Sequence, residues 1–235
     1  MSHAEREASG EYSTPRGELV ITAPVVFGRL HVLPVIDEFL ASYPDINVRL
    51  LLSDRNVHLI DDHVDMAVRI GALPDSSMVA TRVGHVRRVV CGSPAYFARH
   101  GTPTKPGNLS ELACVTFDVL SSATAWSFAV PGAKAEQPVP IRSRLSVNTA
   151  EAAVDAAVAG VGVTRVLSYQ VAGAVERGEL QIVLANFESD PLPVSLVRAG
   201  QRLLPLKVRS FLEFAAPRLR ERLLPLVAKR SRATA

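Results

Sequence analysis

Apolar residues in the first third of the chain follow two kinds of spacing. Residues 19–23 and 46–52 are short, nearly continuous apolar runs, typical of strands that are covered on both faces. Between them, over residues 26–43, the apolar positions recur every three or four residues, which predicts an amphipathic helix. A third apolar run at 65–71 predicts another strand. Strands separated by helices indicate βαβ units, and therefore a parallel sheet with right-handed crossovers.

Helix-start signals follow two of the predicted strands. Ser53 and Asp54 are N-cap candidates for a helix that would continue to position 63. Asn148, with Glu151 three residues later, has the spacing of a capping box for a helix that ends at Gly160. Polar side chains therefore lie where strands end and helices begin.

The alternation of strands and helices occurs a second time, after a predicted linker near 101–112, of which residues 101–107 are rich in proline and glycine. Before that segment, residues 71–86 have no predicted strand. The repetition predicts two α/β lobes. The remaining predicted strands are 86–91, 114–120, 125–130, 139–147, 162–167, 180–184 and 194–198, and the remaining helices are 94–100, 148–160, 168–177 and 203–223.

Composition places the chain among globular proteins. It has 235 residues, of which 48% are hydrophobic and 21% charged, with a formal net charge of +3. The two cysteines, Cys91 and Cys114, lack CxxC spacing, which argues against a disulfide scaffold or a cysteine-based zinc site. No run approaches the roughly 18 apolar residues of a spanning helix, and no signal-peptide pattern opens the chain, so we expect a cytoplasmic protein.

Motifs that would carry catalysis or hold a cofactor fail on their spacing. Gly160 and Gly162 begin a GxG, but no third glycine follows and the pair comes after a helix, so the dinucleotide interpretation fails. No phosphate loop or GxSxG elbow is present. His58 and His63 are five positions apart, whereas two metal ligands on one helical face need four. We therefore predict no catalytic residue, no metal and no cofactor.

The polar residues at the carboxyl ends of the strands have two interpretations. In open α/β sheets ligands bind outside these ends, where helix N-termini offer N–H donors to anions. Alternatively, each residue merely caps a helix. The basic residues from 218 to 232 also have two interpretations. They contact phosphate or an acidic surface, or they form the solvated face of a last helix, and we favour the solvated face.

Six segments in a fixed order carry a resemblance to a known family. They are GELVITAP (17–24), FGRL (27–30), FLASYP (39–44), DMAVRIG (65–71), SPAYF (93–97) and GVGV (160–163). Together they resemble the effector-binding domain of LysR-type transcriptional regulators, and the resemblance covers the chain from Gly17 to about Leu223. It implies an α/β, two-lobed fold like that of type 2 periplasmic binding proteins, with a ligand cleft between the lobes. It also implies a small-molecule effector and association into dimers or tetramers.

The resemblance also implies domain boundaries. Lobe I would comprise 17–112 and 193–223, and lobe II 113–192. Residues 1–16 would be an N-terminal segment in which residues 4–9 form the end of a linker helix. Residues 224–235 would be a basic tail. Because family members begin with a winged helix-turn-helix, we expect this chain to be the sensor part, with DNA contacted only through the missing N-terminal domain of the parent protein.

Ligand contacts in the family come from the first strand-to-helix turn, the start of the second helix, the strands between the lobes and the helix that opens the second lobe's crossover. Arg165 is either a counter-ion for a carboxylate effector or a salt-bridge partner of Asp118 or Glu151, and we favour the salt bridge. The matching positions here are Pro24, Val26, Phe27, Ser53, Ile70, Gly71, Phe117, Asp118, Asn148, Thr149, Val163 and Thr164.

The leading functional hypothesis is a non-enzymatic domain that senses a small, anionic effector and self-associates, with no membrane partner. Two alternatives share the fold. A solute-binding protein for transport is disfavoured because no signal peptide is predicted. An enzyme is disfavoured because the sequence has no catalytic constellation.

Overall fold

A computed structural model of the chain describes residues 14–55, 59, 62–73, 78–117, 124–130, 132, 135–200 and 203–228. Contacts divide the chain into two units. Unit 1 comprises Met1–His85 and Pro193–Pro225, and unit 2 comprises Val86–Leu192 and Leu226–Ala235. Each unit is built on its own five-stranded sheet.

The three apolar runs of the first third form strands as predicted. β1 (Gly17–Ala23) pairs in parallel with β2 (Ile46–Leu52) along its whole length. On its other side β1 pairs in parallel with β3 (Met66–Ile70). The predicted parallel arrangement is confirmed, and the carboxyl ends of these three strands therefore lie at the same edge of the sheet.

Two further strands complete the sheet of unit 1. β4 (Met78–Val86) lies at the edge, and β12 (Leu192–Ala199) runs antiparallel to β3, so that the order is β2-β1-β3-β12-β4. The sequence analysis predicted no strand over 71–86, and this was wrong. Only Val83 and Val86 of β4 are buried, because an edge strand covers little of the core and so has a weak apolar pattern.

The predicted helix over 26–43 is a helical segment in three parts. α1 (Val25–Phe27) continues into a π-helical stretch, Gly28–Val32, and then into α2 (Leu33–Ser42). The last helix, which we label α6 (Leu206–Ala228), packs against α2. The ring of Phe39 lies 5.1 Å from that of Phe211, edge to face.

One predicted helix of unit 1 is not seen. Of the residues 53–63, those that the structure describes form bends and turns, and the others lie outside the described residues. The predicted linker-helix end at 4–9 also lies outside them. Of the basic tail predicted over 224–235, residues 224–228 belong to α6, and the rest lies outside the described residues.

The elements of unit 2 are β5 (Arg88–Gly92), α3 (Pro94–His100), β6 (Ala113–Phe117), β7 (Ala125–Phe128), β8 (Gln137–Pro140), β9 (Arg142–Val147), α4 (Ala150–Val158), β10 (Val163–Leu167), α5 (Ser168–Glu176) and β11 (Gln181–Val183). Its sheet mixes parallel and antiparallel pairs in the order β11-β5-β10-β6-β9, with β7 and β8 as a separate antiparallel pair. The single strand predicted over 139–147 is two strands, because β8 pairs with β7 whereas β9 pairs with β6.

The chain enters unit 2 earlier than the predicted boundary at 112. β5 pairs with β10 and β11, both of unit 2. The proline-rich segment is not a linker, because Pro106–Glu111 forms a 3-10 helix whose Leu109 is fully buried in the core of unit 2. Proline and glycine mark a turn of the chain, which need not be a domain boundary.

Candidate functional site

The carboxyl edge of β1, β2 and β3 in unit 1 carries four of the residues predicted to bind ligand. Pro24 and Ser53 follow β1 and β2, and the two segments are joined by a hydrogen bond from the Ser53 N–H to the Ala23 carbonyl. Ile70 ends β3 and Gly71 follows it, with the Gly71 N–H donating to the Pro193 carbonyl. All four are half-buried. The structure thus brings them to one edge, as parallel pairing requires.

The helix start at this edge is already occupied by a carboxylate of the protein. The N–H of Val25 donates to Oδ1 of Asp54 at 3.1 Å. The Ser53 hydroxyl accepts from the N–H of Arg55, so it closes a short turn and caps no described helix. A negative side chain at the first helical N–H makes this point of unit 1 a poor site for an anion.

Val26 and Phe27 do not offer side chains to a ligand from solvent. They are 3% and 0% exposed, because the helical segment turns this face toward the core of unit 1. Gly28, which follows them, permits the helix to lie close to β2, since a Cβ there would come within 2.2 Å of Leu52 Cδ2.

In unit 2 the carboxyl edge is formed by β6, β9 and β10. Phe117 at the end of β6 is level with Val147 at the end of β9, and Asn148 and Thr149 follow directly. The hydroxyl of Thr149, and not Asn148 as the sequence analysis expected, caps α4 by accepting from the N–H of Ala152 at 3.3 Å. Asp118 lies outside the described residues.

Val163 and Thr164 lie away from this edge. They begin β10 and are level with Cys114 and Val115 of β6, and both are 0% exposed. The Thr164 hydroxyl donates to the Val115 carbonyl at 3.0 Å. The structure therefore does not bring these two residues together with Phe117 and Thr149.

A cavity of about 340 Å³ opens at the carboxyl edge of unit 2, and we call it the arginine pocket. Two of its lining residues are cationic, Arg88 from β5 and Arg165 from β10. Only Phe117 of the predicted ligand residues lines it. Its lining is Arg88, Phe117, Trp126, Arg165, Val166, Leu167 and Gln170.

Arg165 is half-buried in this pocket and keeps its charge at neutral pH. Its guanidinium donates to the Ser127 carbonyl at 2.6 Å and lies 5.0 Å from the centre of the Phe128 ring. Burial, and to a smaller extent the charge of Arg88, lower the pKa of Arg165 to about 10, while Glu136 acts in the opposite direction.

The salt bridge that we favoured for Arg165 is not formed with Glu151. Within the described part of the chain, neither Arg165 nor Arg88 forms an ion pair. Sequence reasoning named Arg165 but missed Arg88, Trp126 and Gln170. Only the strand register, which no local pattern encodes, could have shown that these residues meet.

The described residues offer neither a metal centre nor a membrane-spanning helix. No group of three or more His, Cys, Asp or Glu side chains among them is arranged to hold a metal ion. None of the helices in the described ranges is both long enough and apolar enough to cross a bilayer.

The fold is the α/β, two-lobed type 2 periplasmic-binding-protein-like fold found in the regulatory domains of transcription regulators. A family model described as the LysR substrate binding domain matches residues 13–220, and the chain belongs to this family. The chain is therefore an effector-binding domain of the kind found in LysR-type transcriptional regulators.

Similar proteins agree with this assignment. An HTH-type transcriptional regulator of Xanthomonas campestris pv. campestris (strain 8004) is 33% identical over 224 residues, which are 93% of this chain and 64% of that protein. The HTH-type transcriptional activator AaeR of Escherichia coli (strain K12) is 30% identical over 84% of this chain and 63% of its own length. The chain thus spans slightly less than two thirds of these two proteins.

A solved structure shows the same fold. The regulatory domain of CrgA, a LysR-type transcriptional regulator from Neisseria meningitidis, matches with a TM-score of 0.75 and 28% identity. The match covers 89% of this chain and 100% of that domain.

Proposed function

We propose that this chain senses a small anionic effector for a LysR-type transcriptional regulator and makes or breaks no covalent bond in doing so. The observation that carries the proposal is the arginine pocket, an open cavity with two cationic side chains at the carboxyl edge of parallel strands. Ligands of α/β sheets bind at this edge. The regulators to which the chain is similar support the same function.

At the level of the whole protein, we propose self-association into dimers or tetramers and DNA binding through an N-terminal helix-turn-helix domain of the parent protein. The protein would act in the cytoplasm, where regulators meet DNA. Effector binding would then alter the assembly and reposition the DNA-binding domains. The relatives that carry HTH in their names support this division of labour.

Catalysis by a cysteine nucleophile has no support from the described residues. Burial raises the pKa of Cys91 to about 12 and that of Cys114 to about 11. Both groups are therefore protonated thiols at neutral pH, whereas nucleophilic attack requires the thiolate. We propose that the domain binds its ligand and does not turn it over.

The direct test is to release and identify the ligand. The purified chain is denatured, and the small molecules that leave it are identified by mass spectrometry and added back in a thermal-unfolding assay. We expect an organic anion that raises the midpoint of unfolding. The proposal fails if no released compound, and none of a panel of organic anions at millimolar concentration, changes the midpoint.

Alanine at Ser53 and at Thr149 separates ligand binding from helix capping. If both hydroxyls contact the effector, each substitution weakens affinity by about 1 to 3 kcal/mol in calorimetric titration, because a charged partner loses a hydrogen bond. Thr149→Ala additionally lowers stability by about 0.5 to 2 kcal/mol, since Thr149 caps α4. Ser53→Ala leaves stability nearly unchanged, because Ser53 caps no described helix. Unchanged affinity in both variants would remove the two residues from the site.

A further inference from the structure

The two arginines of the arginine pocket lie on the same face of the sheet. β10 and β5 are antiparallel, with Arg165 opposite Val90 and Leu167 opposite Arg88. Side chains two residues apart on a strand share a face, and so do directly opposite residues. Arg88 and Arg165 are therefore diagonal neighbours across the two strands, at a spacing of roughly 7 to 8 Å between Cα atoms.

This arrangement leaves the two positive charges without an ion pair among the described residues, and Glu136 only partly offsets the charge of Arg165 without forming a salt bridge with it. Like charges on neighbouring strands repel, and neither arginine forms a salt bridge with the residues that the structure describes. Half-burial of Arg165 weakens the screening of this repulsion by water. An anion that enters the pocket would relieve the repulsion at both side chains.

The donors of Arg165 are only partly used by the protein. A guanidinium has five N–H donors, and the hydrogen bond of Arg165 within the described residues goes to the Ser127 carbonyl. That bond and the Phe128 ring hold the guanidinium in place. Its remaining donors are available to an acceptor in the cavity.

The other walls of the pocket are mainly apolar. Phe117 and Trp126 contribute aromatic rings, and Val166 and Leu167 contribute aliphatic surface. The volume of about 340 Å³ lies within the range of cavities that hold small molecules. A ligand that fits has one anionic group and an apolar body.

We propose that the arginine pocket binds a small organic carboxylate, with the carboxylate between Arg88 and Arg165 and the apolar body against Phe117 and Trp126. The planar carboxylate matches the fork of a guanidinium, which can donate two parallel hydrogen bonds to it. This inference rests on the proposed function and deepens it, because it names the class of ligand and the side chains that select it.

Trp126 provides the readout. It is the only tryptophan of the chain, and it lines the pocket, so a change in its fluorescence reports occupancy there. The full chain is titrated with benzoate and with hexanoate, each beside its uncharged amide, benzamide or hexanamide. We expect at least one carboxylate to change the fluorescence with saturation, and its amide to bind much more weakly. The proposal is overturned if neither carboxylate binds or if amide and carboxylate bind alike.

Single substitutions test which of the two arginines binds the carboxylate. Arg165→Met should weaken binding of the carboxylate by about tenfold or more, the usual effect of removing a hydrogen bond to a charged group. Arg88→Gln should weaken it by a smaller factor, because Arg88 is exposed. Arg144→Gln is the matched control, since it removes the same charge from an exposed position of β9 in the same unit, and it should leave affinity unchanged.

Two further arms complete the test. Asp118→Asn should not weaken binding of the carboxylate, and a loss equal to that of Arg165→Met would contradict the assignment of the anion to the arginines. If Arg165→Met does not fold, as judged by circular dichroism, Arg88→Gln decides alone. Equal affinity of Arg88→Gln and the unchanged chain then overturns the proposal.

Failure of this inference is distinguishable from failure of the proposed function. If a ligand identified by mass spectrometry stabilises the chain but leaves Trp126 fluorescence unchanged and is insensitive to Arg165→Met, the effector site lies elsewhere and the sensing function stands. If sulfate binds as tightly as the carboxylates, the site selects charge alone and the carboxylate assignment is wrong. If no small molecule binds by either measure, both proposals fail.

Discussion

In each unit a partly buried basic side chain lies close to an arginine, and the two units relieve the repulsion differently. In unit 1, burial and then the charge of Arg222 lower the pKa of His31 to about 4, so this histidine is neutral at neutral pH. In unit 2, Arg165 has a pKa of about 10 near Arg88 and keeps its proton. A histidine can remove the repulsion between two positive charges by losing its proton, whereas an arginine stays charged and needs an anion to offset the repulsion.

Arg87 shows how the charge of a fully buried arginine is neutralised in unit 2. Arg87 donates to both carboxylate oxygens of Glu188, at 2.8 and 2.9 Å, and the two side chains are 5% and 3% exposed. Its neighbour Arg88 is exposed, and Arg165 is half-buried and forms no ion pair with a described carboxylate. The contrast with Arg87 is what makes the charge of Arg165 informative about a ligand.

The largest effect is expected for a substitution that tests whether the stability of unit 2 depends on the carboxylate paired with its buried arginine. Glu188→Gln leaves the charge of Arg87 uncompensated, and we expect a loss of about 3 to 5 kcal/mol in the free energy of unfolding, measured in urea. Glu179→Gln is the control, because it breaks the exposed pair with Arg177 and should change stability little.

A double variant then separates charge from packing at this pair. Arg87→Met with Glu188→Leu removes both charges, and it should recover most of the stability lost by Glu188→Gln. If Glu188→Gln itself costs almost nothing, unit 2 tolerates an uncompensated buried arginine. The missing counter-ion of Arg165 would then no longer indicate a ligand.

The next effect tests the neutral histidine of unit 1. The pKa of His31 falls from 6.5 to about 4 on folding, so between these values the unfolded chain binds more protons than the folded one. This contribution to stability is present above pH 6.5 and is lost as the pH falls through about 4, with a slope of up to about 1.4 kcal/mol per pH unit. Urea unfolding at a series of pH values measures the slope.

The matched variants are His31→Gln and His100→Gln. The first should remove this part of the pH dependence, and the second, at an exposed position, should retain it. An unchanged slope in His31→Gln would mean that His31 does not avoid repulsion from Arg222 by losing its proton. Unit 1 would then offer no contrast to the pair of arginines in unit 2.

Local features of the fold could be predicted from the sequence, because the signals for them are local. Short apolar runs end at Pro24, Ser53 and Gly71, and parallel pairing then places these ends at one edge. The residue that caps α4 was misplaced by one position, from Thr149 to Asn148, because both residue types cap helices and only the hydrogen bond to the Ala152 N–H distinguishes them.

The chemistry of the arginine pocket could not be predicted in the same way. Arg88 and Arg165 are far apart in sequence, and they meet only because β5 lies antiparallel to β10 in a particular register. Positions carried over from the family led to Val163 and Thr164, which begin β10 in the buried core. The pocket is formed by the residues that end the same strand, so the difference lies along β10 and not between its two faces, since Val163 and Arg165 are two positions apart and share a face.

The smallest expected effect concerns the repulsion itself. Arg88→Gln removes an exposed charge that faces Arg165, so without ligand it should raise the free energy of unfolding by about 0.2 to 1 kcal/mol, as measured by thermal melts at low salt. The gain should shrink at high salt, because ions screen the exposed Arg88. Arg144→Gln, which removes a charge elsewhere in the unit, should not show this gain. With a saturating carboxylate the order should reverse, since the unchanged chain then gains more binding energy than the variant. A variant that is less stable than the unchanged chain in both conditions would show that Arg88 stabilises the fold and that the two arginines are not in conflict.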